Sequence, residues 1–262
     1  MKLFDSMTRR FKTPKKNAKI WRYLDLSKFI SLISEEALTF TRVDVLNDSF
    51  EGSYSKPSLD ARDNIYSDIP HEKKKDLSNI YKRLRAFTFI NCWHISEYES
   101  EAMWRLYLSS SEGIAIQSTY NRLNKSFNEP NNMNVVLGNV NYIDYTNENM
   151  DLSNPLLAFF YKRKSFEYEN ELRAAFTKIP MAEGGFINLC DFDDDIGKDF
   201  DIKKPLDNKI MKLKVDLNIL IEKIYVSPTS EDWFMDIIKS IVGKYDLNKE
   251  VKKSDIINDP IF

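Results

Sequence analysis

Residues Phe166–Ala175 read F-E-Y-E-N-E-L-R-A-A and gather the ionisable side chains most suited to chemistry. On a β-strand, successive side chains alternate faces, so Glu167, Glu169, Glu171 and Arg173 share one face. Phe166, Tyr168 and Leu172 take the other, with Asn170 the polar member. Next-but-one neighbours sit roughly 7 Å apart. Like charges so close raise each other's pKa and resist burial unless cations or hydrogen bonds compensate. Arg173 is one such cation, and Lys162, Arg163 and Lys164 precede the run. On a helix the same residues give a Glu167–Glu171 like-charge pair and a Glu169–Arg173 ion pair, a solvated face without chemistry.

Other candidates are scattered. Arg22 lies between Trp21 and Tyr23, where a planar guanidinium can clamp phosphate or carboxylate, or simply flank two core aromatics. His71 and His94 are the only histidines, and Cys92-Trp93-His94 offers two metal-ligand types with no partner cluster nearby. Cys92 and His94 therefore read as structural, and no resident metal is expected. Asp48, Glu51, Glu169 and Glu171 are the carboxylates that could hold Mg²⁺ in a nuclease-like centre. No nucleophile elbow, Walker pattern or G-x-G-x-x-G stretch is present. Trp93, Met103, Trp104 and Tyr107 fit a core more readily than a base-stacking platform.

The pattern predicts the elements that hold these residues. Ile20–Leu24 reads as a first strand. A helix capped by Asp25 or Ser27 runs to about Ser34, and Ala37–Val43 alternates as a second strand. Asn47–Gly52 is built of turn formers. Ala86–Trp93, Gly113–Ser118, Val135–Tyr142, Phe166–Thr177, Ile210–Val215 and Ile221–Val226 read as strands. Glu97–Leu108, Leu156–Lys164 and Trp233–Val242 read as helices, the last with Trp233, Ile237, Ile238 and Ile241 apolar and Gly243 as its cap. Glu129–Asn134 and Asp191–Lys204 read as loops.

Strands and helices without regular β-α-β alternation predict an α+β fold with a mixed, largely antiparallel sheet flanked by helices. The expected organisation is a basic arm over 1–19, a single domain over 20–245 with a polar insertion at about 54–85, and a polar tail over 246–262. The 262 residues include 17 Phe and 13 Tyr, enough for a sizeable core. A net charge of −2 gives no bulk attraction to nucleic acid or membrane. Two cysteines are too few for a disulfide framework, and no leader or spanning segment is evident, so a cytoplasmic setting is expected.

The series W-R-Y-L, N-D-S-F-E, C-W-H-I-S, A-M-W-R-L-Y, G-I-A-I, V-N-Y and F-E-Y-E-N-E-L-R resembles a bacterial family, domain of unknown function 2971, over Trp21 to Val226. Ser49 stands where that family usually has proline, and Phe166 where it has tryptophan.

The order of parts also resembles the Arg-Ser-Glu class of ADP-ribosyltransferases. Arg22 matches its first-strand arginine, Thr39-Phe40-Thr41 stands in place of Ser-Thr-Ser, and Glu169-Asn170-Glu171 matches Glu-x-Glu. That resemblance implies a split ADP-ribosyltransferase-like β-sandwich and NAD as substrate. It makes Glu171 the stabiliser of an oxocarbenium-like centre and Glu169 the group that orients or deprotonates the acceptor. Arg22 and Arg173 would bind the nucleotide, Thr39 or Thr41 would brace Glu171, and Tyr54 or Trp104 would stack on nicotinamide. The implied roles are an NAD-using transferase or glycohydrolase, as in a toxin or antiviral, phage-defence effector, with a protein or nucleic-acid acceptor. A non-catalytic module sensing a nucleotide or a phage protein is the alternative.

Overall fold

The computed structural model describes residues 11–257 except 66, 69, 108–111, 128–133, 152, 182–184 and 188–203, and it leaves the side chains of 65, 73, 76 and 77 undescribed. Cys190 and nearly all of the two expected loops, Glu129–Asn134 and Asp191–Lys204, lie outside the described residues.

In chain order the first elements are β1 (Lys19–Asp25), α1 (Leu26–Ser34), β2 (Ala37–Arg42), α2 (Lys56–Ile65), α3 (His71–Leu84) and β3 (Thr88–Ile95). Then come α4 (Glu101–Tyr107), β4 (Gly113–Thr119), α5 (Tyr120–Ser126), β5 (Val136–Asn139), β6 (Asn141–Ile143), β7 (Tyr161–Arg163) and β8 (Glu171–Thr177). The last are β9 (Ile179–Pro180), β10 (Phe186–Ile187), β11 (Ile210–Lys214), α6 (Leu217–Leu220), β12 (Lys223–Val226), α7 (Asp232–Lys244) and β13 (Glu250–Lys253). The fold is α+β, and its strands pair mostly antiparallel, while β6 with β7 and β12 with β13 pair parallel.

The chain divides into two compact units. One comprises Met1–Thr13, Phe40–Asn91 and Asn132–Met211. Within it β5 pairs with β8 in the register Asn139↔Leu172 and Gly138↔Arg173, and Thr41 of β2 faces Ile90 of β3. Its core is aromatic: Phe176 meets Phe40 edge-on at 5.1 Å and stacks on Phe89 at 5.4 Å. Phe11 is buried and edge-on to Phe160, and Asn139 N–H donates to Lys12 O at 2.7 Å, which ties that end of the chain to β5.

The other unit comprises Pro14–Thr39, Cys92–Asn131 and Lys212–Phe262. Here β1 pairs antiparallel with β4 along its length, β4 with β12, and β12 with β13. Trp21 and Tyr23 project to one face of β1, onto Met103, Trp104 and Ala115. Asp25 caps α1 by accepting from Lys28 N–H at 2.8 Å, and α1 buries Phe29, Leu32 and Ile33. Each such side chain contributes roughly 1.5–3 kcal/mol.

Several elements differ from the sequence expectation. Phe166–Thr177 is not one strand: Lys164–Glu169 is a 3-10 turn, and β8 starts only at Glu171. Leu156–Lys164 is not a helix but a 3-10 segment, Pro155–Phe160, followed by β7. The buried stripe of α7 is Phe234, Ile238 and Val242, whereas Trp233 and Ile237 of the expected face are exposed. Gly243 lies inside that helix, and Asp246 beyond it takes the left-handed conformation, φ +54°. The segment expected as a polar tail contains β13.

Candidate functional site

The turn before β8 brings the acidic residues together. Asn170 has φ 39° and ψ 63°, a left-handed conformation that asparagine tolerates better than most residues, and its N–H donates to Glu167 O at 3.1 Å. The reversal ends the 3-10 turn and starts the strand. Glu171 is held there by its backbone: its carbonyl accepts from Val140 N–H, and its N–H donates to the Tyr142 hydroxyl, both at 2.9 Å. β5 can lie close because Gly138 has no side chain; a Cβ there would meet Phe160 at 3.0 Å and Phe11 at 3.2 Å.

Five charged side chains then meet out of water. Arg173 donates Nη1 to Glu51 Oε2 at 2.7 Å and Nη2 to Glu51 Oε1 at 2.9 Å, a bidentate pair. Its Nε donates to Glu171 Oε2 at 2.7 Å, and Nη1 also reaches Phe159 O at 2.8 Å. Lys162 Nζ lies 2.5 Å from Glu169 Oε2, 2.8 Å from Glu171 Oε1 and 3.6 Å from Glu51 Oε1. All five are buried, Arg173 to 1 % exposure and Glu169 and Lys162 to 7 %.

Three carboxylates against two cations leave one surplus negative charge in a poorly solvated place, which makes one of the carboxylates easier to protonate. Burial, then the hydrogen bond and the charge of Glu171, push Glu169 up from 4.5 to about 8, against the pull of Lys162. Burial would raise Glu171 too, but Arg173, the hydrogen bond with Glu169 and Lys162 hold it well below the ordinary carboxylate range. Burial alone would lower the Lys162 ammonium; Glu171, Glu169 and Glu51 outweigh it and raise it. Tyr142 is raised by burial and by Glu171.

An aromatic edge flanks the cluster. Arg163 pairs with Asp48 at 2.9 Å, and its guanidinium lies 4.5 Å from the Phe50 ring and 5.3 Å from Phe166. Lys162 Nζ sits 4.7 Å from the Phe166 ring, and Tyr168 is exposed beside it in sequence. The turn Asp48–Gly52 carries both Asp48 and Glu51; Phe50 N–H donates to Asp48 Oδ1 at 3.0 Å, and Gly52 takes φ +71°.

The structure thus joins Glu169, Glu171 and Arg173 in one unit. Thr41 belongs to the same unit, but its hydroxyl makes no hydrogen bond among the described residues, and Glu171 is braced by Arg173 and Lys162 instead. Tyr54 is half-buried, edge-on to Tyr81 at 5.2 Å, with Arg62 beside both rings. Arg22, Trp104 and Thr39 belong to the other unit. Arg22 Nη1 donates to Cys92 O at 2.8 Å, and its guanidinium lies 5.9 Å from the Trp93 ring. Trp104, which the resemblance implies as a stacking partner for nicotinamide, is 4 % exposed, edge-on to Tyr23, with Nε1 donating to Glu99. It packs on the face of β1 opposite to that of Arg22. Thr39 is half-buried in β2.

Of the four carboxylates considered for Mg²⁺, three surround the Lys162 ammonium and Asp48 binds Arg163. Among the described residues no group of three or more His, Cys, Asp or Glu is arranged to hold a metal ion. The bidentate Glu51–Arg173 pair has no local sequence signal, because its members are 122 positions apart. Lys162 was visible only as one of three consecutive cations.

Comparisons with protein-family models, with curated proteins and with solved structures gave no match. No helix among the described residues is long and apolar enough to cross a membrane.

Proposed function

We propose that this chain is an NAD-using ADP-ribosyltransferase-like or glycohydrolase enzyme with the Glu169–Glu171 pair as its acid–base centre. The observation that supports this is the meeting of Glu169 and Glu171 on one buried ammonium, Lys162 Nζ at 2.5 and 2.8 Å, an arrangement that pushes Glu169 up and Glu171 down. Paired groups whose surroundings push their pKa values apart are the usual arrangement for acid–base work.

In this reading Glu169 takes the proton from the acceptor, water or a hydroxyl, as the acceptor oxygen bonds to the ribose carbon. Nicotinamide leaves with the electron pair of the broken bond. Once Glu169 is ionised the cluster carries one net negative charge, which favours the cationic ribosyl centre. Arg163, with Phe50 and Phe166, offers a phosphate-pairing and ring-stacking edge. A toxin or phage-defence effector acting on a protein or nucleic acid fits such chemistry. The test is NAD turnover followed by mass spectrometry. Glu169→Gln and Glu171→Gln are each expected to lower kcat by about 10²–10⁴-fold, with the circular dichroism spectrum retained. Unchanged turnover in both variants refutes the assignment.

One observation favours a second reading, a nucleotide-sensing module without catalysis. Both oxygens of Glu171 are engaged, Oε1 by Lys162 and Oε2 by Arg173. Calorimetry showing NAD binding without nicotinamide release selects that reading.

A further inference from the structure

A cavity of about 220 Å³ opens on the face of the β6–β7 pair opposite to the acidic cluster. The parallel register sets Asn141 beside Tyr161 and Tyr142 beside Lys162. Tyr142 and Lys162 reach Glu171, so Asn141 and Tyr161, one residue back on each strand, project the other way, and both line the cavity.

The lining has three kinds of chemistry. Phe11 and Phe160, edge-on at 4.7 Å and almost fully buried, give an apolar floor. Asn139 and Asn141, on one parity, give two carboxamides; Asn141 Nδ2 donates to Phe160 O at 3.5 Å, which leaves its Oδ1 as acceptor, and Asn139 Oδ1 is buried with no hydrogen-bond partner among the described residues. Exposed Lys12 and Asp151 stand at the rim with opposite charges. Lys12 is held there through its carbonyl, which accepts from Asn139 N–H, and Asp151 N–H donates to the Tyr161 hydroxyl at 3.0 Å.

We infer that this cavity is a binding site for an adenine mononucleotide, separate from the Glu169–Glu171 centre. A carboxamide matches the adjacent donor and acceptor of an adenine edge, whereas guanine presents two acceptors there. Apolar contact with the buried rings does not choose among bases, so the amides supply the discrimination. Asp151 suits ribose hydroxyls, as acidic residues do in dinucleotide folds, and Lys12 suits the phosphate. At about 220 Å³ the cavity takes the base, with the ribose and phosphate at its rim. The inference does not depend on NAD turnover.

Isothermal titration calorimetry of the full chain tests it with AMP, adenosine and GMP as probes. AMP is expected to bind one per chain, GMP about ten-fold or more weakly, and adenosine more weakly than AMP. Asn141→Leu is expected to weaken AMP about ten-fold or more and Glu169→Gln to leave it unchanged. Lys12→Ala, at an exposed position, is expected to abolish the preference for AMP over adenosine, and it decides the matter if Asn141→Leu fails to fold. No heat with millimolar AMP, equal affinity for GMP, a preference retained in Lys12→Ala, or AMP affinity lost in Glu169→Gln but kept in Asn141→Leu each overturns the assignment.

Discussion

Arg173 holds Glu51 by two parallel hydrogen bonds of 2.7 and 2.9 Å across 122 positions of chain. The pair fastens the turn Asp48–Gly52 to β8, and through Glu171 it connects to Lys162 and Glu169. Removing one partner of a buried ion pair leaves the other charge uncompensated. Arg173→Met is therefore expected to destabilise the fold by about 3–5 kcal/mol, read from urea melts. Arg173→Lys should recover only part of this, because an ammonium cannot reproduce the planar fork. A loss under about 1 kcal/mol in the methionine variant, the range of an exposed pair, would contradict the account.

The raised Glu169 carboxyl predicts a pH dependence of stability. Glu169 rises from 4.5 to about 8 on folding. Between those values the folded chain keeps a proton that the unfolded chain has released, so this contribution is full below 4.5 and falls as pH rises to 8. Glu171 is depressed, so its contribution is present above 4.5 and lost on acidification. Urea midpoints of the wild type should therefore drop relative to those of Glu169→Gln from pH 5 to 8. Parallel curves over that window would show that Glu169 titrates normally.

Gly52 is a backbone requirement at the turn that carries Glu51. Its φ is +71°, and a Cβ there would lie 2.4 Å from Phe159 Cε1. Gly52→Ala should cost roughly 1–3 kcal/mol from strain and crowding and should loosen Glu51. A thermal melt unchanged within error would contradict this.

How much of this was legible in the sequence depends on the distance over which each feature is determined. Alternation and capping are local, so β1, β2 and α1 with its Asp25 cap were readable, and with them the α+β class. Glu171 and Arg173 were expected on one strand face, and they do bond there. Glu169 joins them by another route: a 3-10 turn and a left-handed Asn170, which charge alternation does not reveal. In α7 the apolar residues Trp233, Phe234, Ile237, Ile238 and Ile241 allow two neighbouring stripes, and packing, not periodicity, selected the one through Phe234, Ile238 and Val242. Glu51 is grouped with Glu169 and Glu171 in the sequence only as a possible Mg²⁺ ligand; its bidentate bond to Arg173 and the approach of Lys162 arise through tertiary folding, which no local pattern marks.

The most direct test of the central claim is the pH profile of NAD consumption. With Glu169 as the base, kcat/KM of the wild type should rise about ten-fold per pH unit below its value of about 8 and level off above it. Glu169→Gln should give a low, flat profile. A wild type that consumes no NAD, or a variant whose profile overlays that of the wild type, would contradict the account.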